Sequence, residues 1–234
     1  IIDAAGAVVL PGFVDSHTHA VFGGNRTGEF VQRIQGKTYL EILKKGGGIV
    51  NTVEQTRKLK FKKLAETSRK YLDTMLLHGT TTVEIKSGYG LDINTELKIL
   101  KVIHHLQKTH SMDIVATFLG AHMIPPEYKN DPDTYIKLVC NVLPKVKSYA
   151  TFCDTFCDVG AFSIKQSERV LKTAKSLGFR LKIHTNEFED IGGVSLAIQL
   201  EAVSADHLDN IKHRDIARLK ESNVICVLLP GVPL

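Results

Sequence analysis

The sequence predicts a (β/α)8 barrel of the TIM type, in the α/β class, with about seven of the eight strands present in 234 residues. Short apolar segments rich in β-branched residues alternate with longer, charged, amphipathic segments, which indicates parallel strands joined by helices. The alternation continues without a break in composition, which favours a closed barrel, with an open doubly wound sheet as the alternative. Histidines close several strands, at the end where barrel enzymes carry their active sites.

Each predicted strand is a short apolar run of the kind that is buried on both faces. The runs are 7–16, 80–87, 113–121, 151–159, 179–184, 202–207 and 223–229. A complete barrel needs about 250 residues, and the seventh run lies directly before the last residues of the sequence. We therefore expect a single barrel domain over residues 1–234, without the eighth strand at its C-terminal end.

The longer segments between the strands predict amphipathic helices. The five clearest are 52–78, 94–109, 135–147, 163–177 and 213–221. Ser163 followed three residues later by Gln166 predicts a capping box at a helix N-terminus. Gly79 and Gly178 lie just past predicted C-terminal ends, where glycine commonly closes a helix.

Composition excludes disorder, collagen and coiled coil, because 43% of the residues are apolar and 24% are charged. A charged residue or a histidine interrupts every apolar run before it is long enough to cross a bilayer, so we expect no membrane partner. The net charge is +5, but basic residues are interleaved with acidic ones. That balance gives weak support for a small anionic substrate and predicts no nucleic-acid partner.

The four cysteines are scattered through apolar segments, which is typical of reduced thiols and indicates the cytoplasm or an organelle matrix. They are Cys140, Cys153, Cys157 and Cys226. Cys153 and Cys157 are four residues apart, which is not the spacing of a CxxC redox or zinc pair. We expect both to pack in the core, as most free cysteines do.

His17 and His19 stand two apart at the end of the first strand, so both rings project from one face and form half of a metal site. His122, His184 and His207 also close predicted strands. Because those ends meet at one mouth of a barrel, the five rings are expected to converge. The other histidines lie on or beside helices and are expected to be exposed or helix-terminal: His78, His104, His105, His110 and His213.

The motif Pro-Gly-Phe-Val-Asp-Ser-His-Thr-His at residues 11–19 resembles the first-strand signature of the amidohydrolase superfamily, metal-dependent hydrolases built on this barrel. Residues 84–91 are similar to the branch of that superfamily that opens the imidazolone ring in histidine breakdown. Further segments carry the same resemblance in order along nearly the whole chain: 22–26, 120–122, 184–188, 204–208 and 228–231.

The resemblance implies that His17, His19 and His184 hold one zinc or iron ion, with an aspartate of strand eight as the fourth ligand. Many relatives hold two metals bridged by a carboxylated lysine at the end of strand four. Residues 156–160 contain no lysine, so a single metal is expected. Lys86 at the end of strand two is expected to form an ion pair within its loop.

The resemblance also implies the reaction, which is hydrolysis of the cyclic amide of 4-imidazolone-5-propionate to N-formimino-L-glutamate by metal-activated water. Arg26, Tyr89 and His122 would contact the substrate, and a guanidinium suits its carboxylate. The strand-eight aspartate would move the proton from water to the ring nitrogen. His207 would stabilise the oxyanion, and Glu187, just beyond the strand that ends at His184, could accept a ring N–H or carry a proton.

In the family a small β-sandwich, absent here, accompanies the barrel, and a homodimer is possible. The piece is therefore expected to be inactive by itself and poorly stable. Three alternatives stay open: a deaminase of cyclic amidines from the same superfamily, a truncated form that only binds metal or partners, and a metal-free Schiff-base aldolase, for which Lys182 is a weak candidate.

Overall fold

A computed structural model describes residues 1, 3–37, 41 and 47–232. Seven parallel strands form one sheet in which each strand pairs with the next, in the order of the sequence. The strands are β1 (Phe13–Thr18), β2 (Thr80–Lys86), β3 (Asp113–Ala121), β4 (Phe152–Cys157), β5 (Arg180–Thr185), β6 (Ser204–His207) and β7 (Ile225–Val227). With its alternating helices the sheet is a nearly closed TIM-like barrel, which confirms the predicted fold class.

Helices lie between successive strands and cover the outer face of the sheet. They are α1 (Thr27–Ile34), α2 (Ile49–Lys58), α3 (Phe61–Leu77), α4 (Ile93–Thr109), α5 (Pro132–Val146), α6 (Ile164–Ser176), α7 (Gly193–Gln199) and α8 (His213–Lys220). A short 3-10 turn, Pro126–Tyr128, precedes α5. None of the helices in the described part of the chain is both long and apolar enough to cross a membrane.

The side chains of the strands alternate between an apolar outer layer and a charged inner one. On β5, Leu181 and Ile183 belong to the hydrophobic core, whereas Lys182 and His184 are buried polar residues. Val83 and Ile85 alternate with polar residues on β2 in the same way. The period of two on a strand therefore separates packing against the helices from chemistry inside the barrel.

Several local predictions are confirmed. Ser163 and Gln166 form the capping box at the start of α6, with both reciprocal hydrogen bonds present. Gly79 and Gly178 follow α3 and α6 with φ angles of 93° and 80°, a left-handed conformation that glycine adopts without steric cost. Cys153 and Cys157 are buried within the hydrophobic core.

Two predicted elements have wrong boundaries, and two short helices were not predicted. The first strand begins at Phe13 instead of residue 7, because Phe13 is the first residue that pairs with β2. The segment 52–78 is two helices, since Leu59 and Lys60 are extended between them. Lys98 of α4 explains that break: its Nζ donates to the carbonyl oxygens of Thr56, Arg57 and Leu59, at the end of α2. The short helices α1 and α7 were not anticipated.

Candidate metal centre

Five histidines converge at the carboxyl end of the sheet. His17 lies on β1, His184 on β5 and His207 at the end of β6, while His19 and His122 directly follow β1 and β3. The ring centroid of His17 lies 4.5 Å from that of His184 and 5.2 Å from that of His207. His19 stacks on His122 with 4.7 Å between the ring centroids.

His17, His19 and His184 could hold a metal ion, because each offers a ring nitrogen and these three atoms lie within 4.8 Å of one another. Both ring nitrogens of His184 and Nδ1 of His19 are buried without a hydrogen-bond partner among the described residues. Unpaired buried polar atoms are costly. A cation would satisfy one nitrogen of each ring, so the residues fit a metal.

The protonation states of the rings suit the same use. Burial lowers the pKa of His19 and of His184 well below the usual value, and neighbouring histidines lower both further. A neutral imidazole keeps a lone pair for a cation, whereas a protonated one does not.

Carboxylates lie behind two of these rings. Nδ1 of His17 is 2.7 Å from Oδ2 of Asp206, and Nδ1 of His184 is 3.0 Å from Oδ2 of Asp154, in an orientation that does not meet hydrogen-bond geometry. An aspartate that accepts from Nδ1 of His17 leaves Nε2 as the nitrogen with the lone pair. Such partners orient histidines that bind metals and increase their basicity.

Tyr89 and His122 lie beside His19 at the edge of the histidine cluster. The ring centroid of Tyr89 lies 5.1 Å from that of His19 and 5.4 Å from that of His122. Burial lowers the pKa of His122 to about 4. The structure thus brings two of the three expected substrate contacts beside a candidate metal ligand.

Glu187 lies beside His207, with 3.5 Å between its Oε2 and Nδ1 of His207. Burial, together with the negative charges of Asp158 and Asp209, raises the pKa of Glu187 to about 7. Burial lowers the pKa of His207 to about 4. At neutral pH this pair therefore combines a neutral ring with a carboxyl group that is close to half-protonated, which suits proton transfer.

Arg26 lies apart from this cluster. It stands directly before α1, and its Nε donates to Oε2 of Glu29 at 2.8 Å. Within the described part of the chain, no hydrogen bond, ion pair or ring contact joins Arg26 to the histidines. Its expected contact with a substrate carboxylate stays a prediction.

Comparison with known proteins identifies the family. The profile of the amidohydrolase family matches residues 8–229. The chain belongs to the amidohydrolase family. Its curated relatives include the imidazolonepropionases of Alkaliphilus oremlandii, 48% identical over 234 residues, and of Clostridium tetani, 50% identical over 233 residues. These alignments cover 99% and 98% of this chain but 56% of each relative, so the chain spans little more than half their length.

Solved amidohydrolases share the fold at low sequence identity. The 5-methylcytosine deaminase of Klebsiella pneumoniae, liganded with phosphonocytosine, has a TM-score of 0.65 at 14% identity. The alignment covers 92% of this chain and 53% of the deaminase chain. An amidohydrolase of Burkholderia ambifaria with bound zinc has a TM-score of 0.65 at 16% identity and covers 97% of this chain and 70% of its own. Both likenesses support the barrel fold of this amidohydrolase.

Beneath the histidines of this amidohydrolase lies a buried charge network that the sequence analysis missed. We call it the inner network; it consists of Glu84, Lys86, Asp154, Lys182 and Asp206. Nζ of Lys86 lies 2.9 Å from Glu84, 2.8 Å from Asp154 and 3.2 Å from Asp206. Nζ of Lys182 lies 3.4 Å from both Glu84 and Asp206 and donates to the Ser16 carbonyl.

The prediction that Lys86 forms an ion pair within its loop was therefore wrong. Lys86 does form ion pairs, but its partners lie inside the barrel on β2, β4 and β6. Burial opposes the charge on Lys86, but the three carboxylates outweigh it and raise the lysine pKa. Burial likewise opposes ionisation of Asp154 and Asp206, and Lys86 nevertheless holds the pKa of both below the usual value. The sequence did contain a signal for this network: Glu84 and Lys86, and likewise Lys182 and His184, stand two residues apart, so each pair lies on one face of its strand.

A second missed residue is Asp158, at the end of β4. Its buried carboxylate accepts from the backbone N–H groups of Glu187, Phe188 and Glu189 at 2.8, 3.1 and 3.0 Å. It thereby fixes the loop that presents Glu187.

His207 is itself held with φ at 80°, a strained conformation for a residue that has a Cβ atom, and such strain is concentrated at functional sites.

Proposed function

We propose that this chain is the catalytic barrel of an imidazolonepropionase, which hydrolyses the ring of 4-imidazolone-5-propionate to N-formimino-L-glutamate. The convergence of His17, His19 and His184 carries the proposal, since it supplies the donor set of a hydrolytic metal. The relatives named imidazolonepropionase are 48% and 50% identical to the chain, which favours this activity over the deaminases of the same fold at 14% identity.

His17, His19 and His184 would hold one zinc or iron ion per chain, through one ring nitrogen each. A zinc ion held there would supply a water molecule with a pKa of about 7 and would polarise a carbonyl oxygen. Asp206 fixes the ring of His17 through Nδ1 at 2.7 Å. The inner network has three acidic and two basic side chains, a formal net charge of −1, beneath these histidines.

Glu187 and His207 would act on the reacting atoms. Glu187, with a pKa of about 7, takes a proton from the attacking water and passes it to the ring nitrogen that leaves. His207, with a pKa of about 4, stays neutral at pH 7 and donates an N–H to the negative charge that develops on the carbonyl oxygen. The 3.5 Å between Oε2 of Glu187 and Nδ1 of His207 supports a joint action of the two side chains on one substrate.

Tyr89, His122 and Arg26 would bind the substrate, a small anion. Tyr89 and His122 lie beside His19, so they are placed to contact the ring. Arg26 would bind the propionate carboxylate, for which it exchanges or shares its pairing with Glu29. We further propose one barrel domain and a cytoplasmic location, which the four free cysteines support; the homodimer stays a prediction.

The test is a chimera in which this chain replaces the matched region of the Clostridium tetani relative. Loss of 4-imidazolone-5-propionate with formation of N-formimino-L-glutamate is the expected result. Arg26→Ala should raise KM by at least about tenfold, which is the cost of losing a charge-assisted bidentate contact.

The control is Arg69→Ala, because Arg69 is a half-buried arginine of α3 that donates to Thr109. Ammonia release from a cyclic amidine, with the imidazolone intact, would contradict the proposal. The chain by itself is assayed in parallel, and turnover there would contradict the expectation that the piece is inactive.

A further inference from the structure

The loop between β2 and α4 has an unusual backbone beside the metal centre. It comprises residues 87–91 and carries Tyr89. Gly88 and Leu91 have φ angles of 110° and 54°, and Leu91 is a residue that rarely adopts a left-handed conformation. Glycine adopts a positive φ without steric cost, but the strained Leu91 needs specific interactions to hold it.

Glu96 supplies those interactions from the first turn of α4, where its side chain is buried. Its Oε2 accepts from the backbone N–H of Gly88 at 3.0 Å, and its Oε1 accepts from Gly90 at 2.7 Å and Leu91 at 3.0 Å. The Ser87 hydroxyl provides a further hydrogen bond. One carboxylate thus accepts from three of the five backbone N–H groups of this loop.

The same loop controls His122. Nδ1 of His122 lies 3.0 Å from the carbonyl oxygen of Gly88. A carbonyl oxygen can only accept, so Nδ1 carries the proton. In the neutral ring Nε2 then carries the lone pair. The Gly88 carbonyl belongs to the peptide unit between Gly88 and Tyr89, and Glu96 holds the N–H groups of the units on both sides of it, those of Gly88 and Gly90. Glu96 therefore fixes the direction of this carbonyl, and the carbonyl determines the tautomer of His122.

We propose that Glu96 is a positioning residue: it holds residues 88–91 so that Tyr89 packs beside His19 and His122 is confined to the Nδ1–H tautomer. The proposal rests on the proposed function, in which Tyr89 and His122 contact the substrate. It also specifies the ligand chemistry at His122. An accepting Nε2 favours a group that presents an N–H, such as the ring of a cyclic amide, and disfavours a carboxylate.

The test compares Glu96→Gln with the matched control Glu66→Gln, which alters an exposed acid on α3. Glutamine has the shape of glutamate, but its amide nitrogen cannot accept, so one of the two oxygens that hold the loop is lost. The first readout is the NMR tautomer signature of the histidine ring nitrogens, with the His122 signals assigned by their loss in His122→Asn. The second is amide hydrogen exchange.

We expect wild type and Glu66→Gln to show the Nδ1–H tautomer at His122. Glu96→Gln should show mixed tautomers and exchange the amides of Gly88, Gly90 and Leu91 about tenfold faster or more, since hydrogen bonds to a charged group are lost. Zinc affinity should change less than about twofold, because the three candidate ligands keep their contacts. In the active chimera KM should rise more than kcat falls.

An Nε2–H tautomer at His122 in wild type would overturn the proposal even if Glu96→Gln fails to fold. So would a folded Glu96→Gln protein with unchanged tautomer and unchanged exchange. Equal loss of zinc affinity and loop protection would also overturn it, since that result indicates a general structural role. The tautomer and exchange measurements need no turnover, so failure of the proposed reaction is distinguishable from failure of the role of Glu96.

Discussion

Replacing Lys86 by methionine removes the cation that lies among three buried carboxylates, at 2.9, 2.8 and 3.2 Å from Nζ. Methionine keeps the length of the side chain and fills the same space without charge. Removal of one partner from a buried ion pair typically costs about 3–5 kcal/mol, because the remaining charge is left uncompensated.

Protonation of one carboxylate sets an upper limit on this cost. A pH of 7 lies about three units above the pKa of an ordinary carboxyl group. Protonating such a group costs about 1.4 kcal/mol for each unit, which gives about 4 kcal/mol. At pH 5 the same limit falls to about 1.5 kcal/mol. The expected destabilisation therefore shrinks as the pH falls, while the cost at pH 7 corresponds to a decrease in Tm of about 8–16 °C.

The stability difference between wild type and Lys86→Met should increase with pH, because the carboxyl pKa values shift in opposite directions in the two proteins. In wild type, burial opposes ionisation of Asp154 and Asp206, but Lys86 holds the pKa of both low, so their stabilisation is present above about pH 4 and disappears as the pH falls through the folded-state pKa. In Lys86→Met the carboxyl pKa rises above the unfolded value, so the penalty is largest at high pH. The difference between the two proteins is greatest near pH 7.

Urea unfolding at pH 7 and pH 5 measures the effect. The control is Lys172→Met, because Lys172 forms an exposed pair with Glu168 at 2.7 Å on α6, and exposed helix pairs contribute about 0.5 kcal/mol or less. A loss below about 1 kcal/mol for Lys86→Met at pH 7, or the same loss at both pH values, would refute the reasoning about uncompensated charge.

Three further predictions concern the mouth of the barrel. His17→Ala should abolish zinc or iron binding by elemental analysis, whereas His104→Ala on the outside of α4 should retain it; retained metal in the first variant would exclude the candidate centre. In the chimera, a pH–rate profile should show kcat rising through pH 7 as Glu187 ionises. Glu187→Gln should remove this increase; if the profile is unchanged, the increase comes from another group. Because His207 has a φ of 80°, His207→Gly should be about 1 kcal/mol more stable to urea than His207→Ala, and equal stabilities would show that the strain is absent.

Local spacing determined much of this protein. The alternation of apolar and amphipathic segments depends on neighbours within each segment, and it predicted the seven strands and their order. The interval of two between His17 and His19 placed both rings on one face. Ser163 and Gln166 determined a helix start by contacts three residues apart. Such features follow from backbone geometry, so the sequence alone contains them.

Closure of the sheet decided the rest. Lys86 and Asp154 are 68 positions apart, and only the curvature of the barrel brings β2, β4 and β6 face to face. The break between α2 and α3 likewise depends on Lys98 of a later helix. The pattern within each strand gives the face of a charged side chain but not its partner. Burial then decides the state of that charge, because desolvation and partner distance are properties of the folded chain.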